Sequence, residues 1–376
     1  MRIKDVQVLP LMAKLKHPFG YAQGWYDKRE ALLVKITTDS GLVGYGECFG
    51  PIAATREHIV ERLAPQLIGR DPLQHEVIWS ELFASERAAY KTYIPLAAIS
   101  GIDIALWDIK GKYFEVPIGY LLGRTRSSIQ IYATGHYFVR TESFAKLTNK
   151  IVEEAIGYVE DGFKFLKIKT GLKVLGMGVE HDLELVRQVR EALPDSVGLM
   201  VDANYAYNLC EAKWLGKRLS ELGIVFFEEP VSPDHVAGYQ EVRVYCQLPI
   251  AGGECLSTCK QFHPFFNVRA LDIAQPDLCM AGGITETWKI AQLASLYGIK
   301  VYPHIWGTGV ALAAALQFCA ALPEAPLVEF DRSENPLRDA TTEWLEWSRT
   351  GVVTVPKGPG LGVEVDERTL RRFLVR

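Results

Sequence analysis

No stretch of this chain is both apolar and long enough to cross a bilayer as a helix. The longest, 310–322, contains Gln317 and falls short of the roughly 20 residues a span requires, so it reads as a buried helix. No run rich in Lys and Arg gathers positive potential, and the formal net charge is −4; nucleic acid and membrane are not expected partners. No apolar core of a signal peptide follows Met1, Arg2, Ile3, Lys4 and Asp5, and the expected compartment is the cytoplasm. Cysteines are few, odd in number at seven and irregular in spacing, which does not make a disulfide framework. Cys255 and Cys259 stand four apart with no His or second Cys pair at zinc-like spacing, and both read as core cysteines. A G-x-G-x-x-G turn is also missing, which removes the open dinucleotide-binding sheet as a rival fold. Gly44-Tyr45-Gly46 lacks the third glycine and Gly171 to Gly178 has the wrong spacing; both read as turns.

What is present is an ordinary enzyme composition, 48% hydrophobic and 23% charged. At 376 residues the chain is too long for one ordinary domain and suits a barrel of roughly 250 residues with a smaller partner. The first part reads as an α+β unit: β-rich runs at 3–11, 31–38 and 42–47, then helical patterns at 53–67, 72–83 and 95–113. In the last helix Ile99, Ile102, Ala105, Leu106 and Ile109 recur at helical spacing and give one apolar face. From 129 onward a short apolar strand and an amphipathic helix alternate. Strands are predicted at 129–133, 163–169, 197–204, 224–228, 249–254, 271–275, 300–304 and 326–330, with helices such as 141–160, 178–193 and 284–297 between them. Eight such repeats predict an α/β fold, a modified (β/α)-barrel with an N-terminal α+β capping domain. The expected units are a cap over 1–125, a barrel over 126–335 and a C-terminal segment, 336–376, whose Gly- and Pro-rich run 351–362 returns to the cap.

Barrel strands present their C-terminal ends at one face, and catalytic groups come from those ends. Asp202, Glu228 and Glu254 end the third, fourth and fifth strands at a constant interval of 26 residues (202 to 228, 228 to 254). Each acid alone could be a helix cap or a surface charge. Three in register would repel one another, and a hard divalent cation such as Mg²⁺ removes that repulsion. Lys167 and Lys169 share one side of the second strand, because side chains alternate with period two. One ammonium, beside the other and near a cation, is expected to have its pKa lowered toward working pH, leaving its partner to hydrogen-bond a substrate carboxylate. His304 ends the seventh strand, and Asp277, after the sixth, is positioned to fix its tautomer. Glu329 ends the eighth.

Lys167-x-Lys169, Asp202-x-Asn204, Glu228-Glu229-Pro230, Gly252-Gly253-Glu254, Asp277 with Gly282-Gly283, Pro303-His304 and Glu329 together resemble the enolase superfamily, mandelate racemase subgroup. The resemblance covers nearly the whole chain. It implies Mg²⁺, with Mn²⁺ as a substitute, held by Asp202, Glu228 and Glu254. It also implies Lys169 as one base assisted by Lys167, His304 oriented by Asp277 as the other, and Glu329 near the substrate carboxylate. Superfamily chemistry of this kind, a Lys or His base with Mg²⁺ stabilising an enediolate, is a known pattern. Pro303-His304-Ile305-Trp306-Gly307-Thr308-Gly309-Val310 and Gln275-Pro276-Asp277-Leu278-Cys279 further resemble the galactarolactone cycloisomerase branch, which implies ring-opening β-elimination of a sugar-diacid lactone. Loop 18–27, with Phe19, Tyr21, Trp25 and Tyr26, would form an aromatic lid that differs from that branch. Tyr21, Trp25, Tyr26, His136, Asn204 and Trp306 are the candidate substrate-binding residues. A small sugar acid is the expected partner and a homo-oligomer the expected assembly. Acid-sugar dehydration, racemisation or epimerisation, a Schiff-base aldolase using one of the lysines, and a non-enzymatic binding role are the alternatives.

Overall fold

In the computed structural model of the chain the described residues are 1–90, 95–141, 143–343, 345, 347, 348 and 350–375. Residues 344, 346, 349 and 376 of the expected C-terminal segment, and 142 in the expected helix 141–160, lie outside them.

Three antiparallel strands, Ile3–Tyr21, Gly24–Thr38 and Val43–Cys48, form the first sheet. The segment expected to be a capping loop is instead the tip of a long hairpin. Tyr21 pairs with Gly24, leaving only Ala22 and Gln23 as the turn. Alternation continues through Ala13, Lys14, Leu15 and Lys16 and is broken by His17 and Pro18, and the register shifts between Lys14 and Phe19. The backbone nevertheless keeps its partners, because Gly20 and Phe138 exchange hydrogen bonds at 2.8 Å and so hold the tip on the barrel.

Helix Leu96–Tyr113 is buried on two faces, where the sequence pattern showed one. Its apolar side, Ile99, Ile102, Ala105, Leu106 and Ile109, packs on the N-terminal sheet. Its other side carries polar anchors into the barrel. Asp103 accepts from the Thr285 amide at 2.9 Å and from its hydroxyl at 2.6 Å, while the Gly282 amide donates to Ser100 Oγ at 2.9 Å. These bonds satisfy amides at the start of helix Gly283–Leu296, which would otherwise be left without partners. Glu47, at the end of the third cap strand, does the same for helix Gly309–Ala321, all of which is buried as the sequence foretold.

The second sheet contains eight parallel strands: Ser128–Thr134, Phe165–Lys169, Gly198–Asp202, Phe227–Glu228, Ile250–Gly252, Ile273–Ala274, Lys300–Val301 and Leu327–Asp331. The first seven are neighbours in sequence order, and the eighth pairs with the first, as a curled (β/α) sheet requires. Several strands are shorter than predicted at their C-terminal ends. Asn204, Tyr205, Glu229 and Gly253 have positive φ values of 39°, 51°, 42° and 116°, so the chain leaves the ladder there and turns toward the rim. Inside the barrel Tyr132, Met200, Phe226, Ala251, Ile273 and Tyr302 close the space beneath that rim. The C-terminal run behaves differently from expectation in its first part. Val352–Thr354 is a strand antiparallel to Ser128–Gln130 of the first barrel strand. The segment also meets the cap on both sides of that strand: helix Pro336–Asp339 packs on the first two cap strands, and further on the Leu361 amide donates to Asp108 and Leu374 bridges Leu11.

Candidate active site

The rim built by these strand ends brings three carboxylates together. Ligand oxygens of Asp202, Glu228 and Glu254 all lie within 4.8 Å of one another. Asp202 and Glu228 are fully buried, and one Glu254 oxygen is buried without a hydrogen-bond partner. An all-oxygen set of this kind suits a hard cation, Mg²⁺ above all. Gln275 supports it from the sixth strand by donating to Glu228 at 2.8 Å.

The two lysines reach this cluster at different depths. Lys169 Nζ donates to Asp202 and, at 3.0 Å, to Asn204 Oδ1. Lys167 Nζ lies deeper, 2.9 Å from both Glu228 oxygens, 2.8 Å from Glu329 and 5.5 Å from the centre of the Tyr132 ring. Burial alone would pull both ammonium pKa values down. Glu228 and Glu329 around Lys167, and Asp202 beside Lys169, outweigh it and hold both above their ordinary value. The expected lowering presumes a cation among these acids; without one, the acids set the direction for both lysines.

On the other side of the rim, His304 Nδ1 lies 2.7 Å from Asp277 Oδ2, and Nε2 lies 3.6 Å from Glu254. Burial opposes the charged imidazole, but Glu254, Asp277 and Glu329 together raise its pKa to about 10. The backbone that carries His304 is pinned one residue at a time. Ile305 N donates to Glu329 at 3.1 Å, Trp306 Nε1 to the Tyr137 hydroxyl at 2.7 Å, and Asn335 Nδ2 to the Gly307 carbonyl at 3.1 Å. Thr308 N and Oγ1 then donate to Glu47 at 2.9 and 2.6 Å. Glu47 packs so closely that a Cβ at Gly307 would meet its oxygen at 2.4 Å, which explains the glycine.

Between the two sides lies a cavity of about 150 Å³, lined among others by Lys169, Asn204, Glu254, His304, Tyr21, Tyr26 and Trp306. Its size suits a small acid. The hairpin tip closes over it: Tyr21 stacks on Tyr26, Tyr26 packs on Trp306, and Gln23 donates to the Asn204 carbonyl at 2.6 Å. Besides Asp202, Glu228 and Asp277, four sequence candidates are not on the cavity wall. Lys167 and Glu329 lie beneath it, paired with each other. Trp25 lies on the far face of the hairpin, on Gly20 and 4.2 Å from the Arg140 guanidinium, because it alternates with Tyr26. His136 is fully buried against Tyr158, its Nδ1 2.9 Å from the Lys167 carbonyl. Its neighbour Tyr137 takes the place on the wall; φ of 56° at His136 turns the chain after the first strand and defeats simple counting. Cys255, read as a core residue, is half-buried and lines the cavity, and Cys259 is also half-buried. Glu229 is buried and contributes to a second group with Glu254 and Cys255, which the spacing of the other three acids gave no reason to single out.

A curled parallel barrel with acids on three successive strand ends, a lysine on one side and a His–Asp pair on the other is the arrangement of an enzyme active site with room for a divalent cation. Residues 3–123 match the mandelate racemase / muconate lactonizing enzyme N-terminal domain, and residues 150–369 match the enolase C-terminal domain-like family. The chain belongs to the enolase superfamily, and it is an isomerase or a lyase of that superfamily. It is 42% identical over 382 residues to the D-galactarolactone cycloisomerase of Agrobacterium fabrum, covering 99% of each chain. It is 34% identical to the arabinonate dehydratase of Saccharolobus solfataricus, covering 93% of this chain and 96% of that one. The crystal structure of the 3,6-anhydro-D-galactonate cycloisomerase from Zobellia galactanivorans superposes with a TM-score of 0.90 at 39% identity, covering 100% of both chains. Among the described residues no helix is long and apolar enough to cross a membrane.

Proposed function

We propose that the protein abstracts the proton α to a carboxylate of a sugar acid, and that its reaction is ring-opening β-elimination of a sugar-diacid lactone to a 3-deoxy-2-keto diacid. The observation that carries this reading is the meeting of Lys169, Glu254 and the Asp277-oriented His304 on one small cavity. Similarity to a cycloisomerase at 42% identity over the whole chain supports the choice of a lactone. Asp202, Glu228 and Glu254 would hold Mg²⁺, which when bound supplies positive charge beside the carboxylate where enediolate charge develops. Lys169 or His304, relieved of the Asp202 and Glu254 charge that a bound cation would take up, removes the α-proton according to the face the substrate presents. The α C–H electrons form the enediolate; its collapse makes the α–β double bond and expels the ring oxygen from the β-carbon as a carboxylate. The enol then takes a proton and becomes the 2-keto acid. Asp277 holds His304 in one orientation, and Lys167 fixes Glu228 and Glu329 from below. The aromatic tip around Tyr21 and Tyr26 excludes water.

Proton NMR in deuterated water on a panel of sugar-diacid lactones and open-chain acids tests this, with Mg²⁺ present or removed by EDTA. The expected result is Mg²⁺-dependent conversion of a lactone to a keto diacid. Interconversion of α-configurations without a keto product would favour a racemase and overturn elimination. Dehydration of open-chain acids with no action on lactones would instead support the second reading, a dehydratase. That reading is favoured by the His304–Asp277 pair, which can serve as the general acid a departing hydroxide needs.

A further inference from the structure

Behind the oxygen-only cluster lies a second one that the proposed reaction does not use. Glu229 is fully buried, yet neither of its carboxylate oxygens has a hydrogen-bond partner. A buried carboxylate without partners is costly, and such a group calls for a specific explanation. Its neighbours supply one. Ligand atoms of Glu229, Glu254 and Cys255 all lie within 4.8 Å of one another. Ligands about 2.0–2.3 Å from a shared ion lie at most about 4.6 Å apart, so small side-chain movements would close the set. Cys255 also lines the cavity, which gives an ion a route in from solvent.

We propose that Glu229, Glu254 and Cys255 form a second metal site, selective for borderline, thiophilic divalent ions such as Zn²⁺ and Co²⁺ over Mg²⁺. One thiolate and two carboxylates suit such ions, whereas Mg²⁺ prefers oxygen alone. Binding breaks the S–H bond, forms the S–metal bond and releases the proton to water. The two sites share Glu254, and His304 Nε2 lies 3.6 Å from that carboxylate. An ion in the second site therefore draws Glu254 away from both the Mg²⁺ position and His304, and it inhibits the enzyme.

The test is titration of Mg²⁺-saturated protein with Co²⁺, followed by absorption in the region of thiolate-to-cobalt charge transfer. Wild type is expected to show this band, Cys255→Ser to lose it, and Cys210→Ser and Cys259→Ser to keep it. Glu229→Gln is expected to weaken Co²⁺ binding about tenfold or more. No band in wild type, or a band that survives in Cys255→Ser, overturns the inference. Asp202→Asn separates this site from the Mg²⁺ reading. Loss of Mg²⁺ binding with the thiolate band retained supports two distinct sites, whereas Co²⁺ binding without the band, abolished by Asp202→Asn, leaves only the oxygen site.

Discussion

Replacing Glu47 by Gln is expected to remove a specific part of the pH dependence of stability. Glu47 is fully buried and accepts hydrogen bonds from Thr308 N, Thr308 Oγ1 and Ala311 N, with Asp277 the charged group that acts on it. Burial outweighs those bonds and raises its pKa from 4.5 to about 7. The folded state thus holds this proton more tightly than the unfolded chain does. The stabilisation it confers is complete below pH 4.5 and is lost as pH rises through about 7. The difference amounts to about 3 kcal/mol, of which roughly 2.5 kcal/mol falls between pH 5 and pH 8. Asp103 and Asp182, raised to about 7 and about 6, add slopes of the same sign, but they are common to both proteins and cancel in the comparison. Urea denaturation at pH 5, 6, 7 and 8 should therefore show Glu47→Gln gaining on wild type by roughly 2.5 kcal/mol across that range. At pH 5 the variant should be weaker by about 1 kcal/mol, because its amide NH₂ faces backbone donors. Parallel profiles, agreeing within about 0.5 kcal/mol at every pH, would refute the buried, raised carboxylate. Glu47→Ala leaves the Thr308 and Ala311 donors buried without a partner and is expected to lose about 3–5 kcal/mol at neutral pH.

Two further outcomes are expected. Lys169→Met and His304→Asn should damage α-proton exchange of a lactone substrate in deuterated water unequally, with one variant keeping measurable exchange; equal loss in both would point to a two-base racemase. Trp25→Ala should lower stability by about 1–3 kcal/mol with substrate preference unchanged, while Tyr26→Ala should change KM ratios between sugar acids, because only Tyr26 lines the cavity.

The barrel was legible because its signal repeats. Eight apolar strands at a steady period leave few alternatives, and even the strand ends that the structure shortens keep their backbone bonded, as in Val225 N to Leu199 O at 2.7 Å and Glu229 N to Ala251 O at 3.0 Å. The cap hairpin was harder. His17 and Pro18 interrupt the alternation on which a strand is recognised, and what holds the tip is backbone pairing with Phe138 in a distant part of the chain. Helix 96–113 shows the same limit from the other direction. Its apolar stripe announces the face that meets the cap sheet, but Ser100, Asp103 and Trp107 lie off that stripe and are nevertheless buried against the turn 282–285. Hydrophobic periodicity reports apolar burial and is silent about polar docking.

The same physical distinction governs the site. Asp202, Glu228 and Glu254 could be grouped from the sequence because each sits at the same place in a repeat, and a repeat carries its geometry with it. Trp25 and His136 could not be placed that way, since each depends on local parity. A one-residue change of face puts Tyr26 over the cavity and Trp25 on Arg140, and a left-handed turn at His136 gives the wall to Tyr137. Tyr137 then does more than line the cavity, because its hydroxyl accepts from Trp306 Nε1 and so helps to fix the loop that carries His304. Position in a repeat is thus readable in one chain taken alone. Whether a residue faces the cavity or supports the residue that does is decided by turns of a single peptide unit, and that level of detail enters only with the folded backbone.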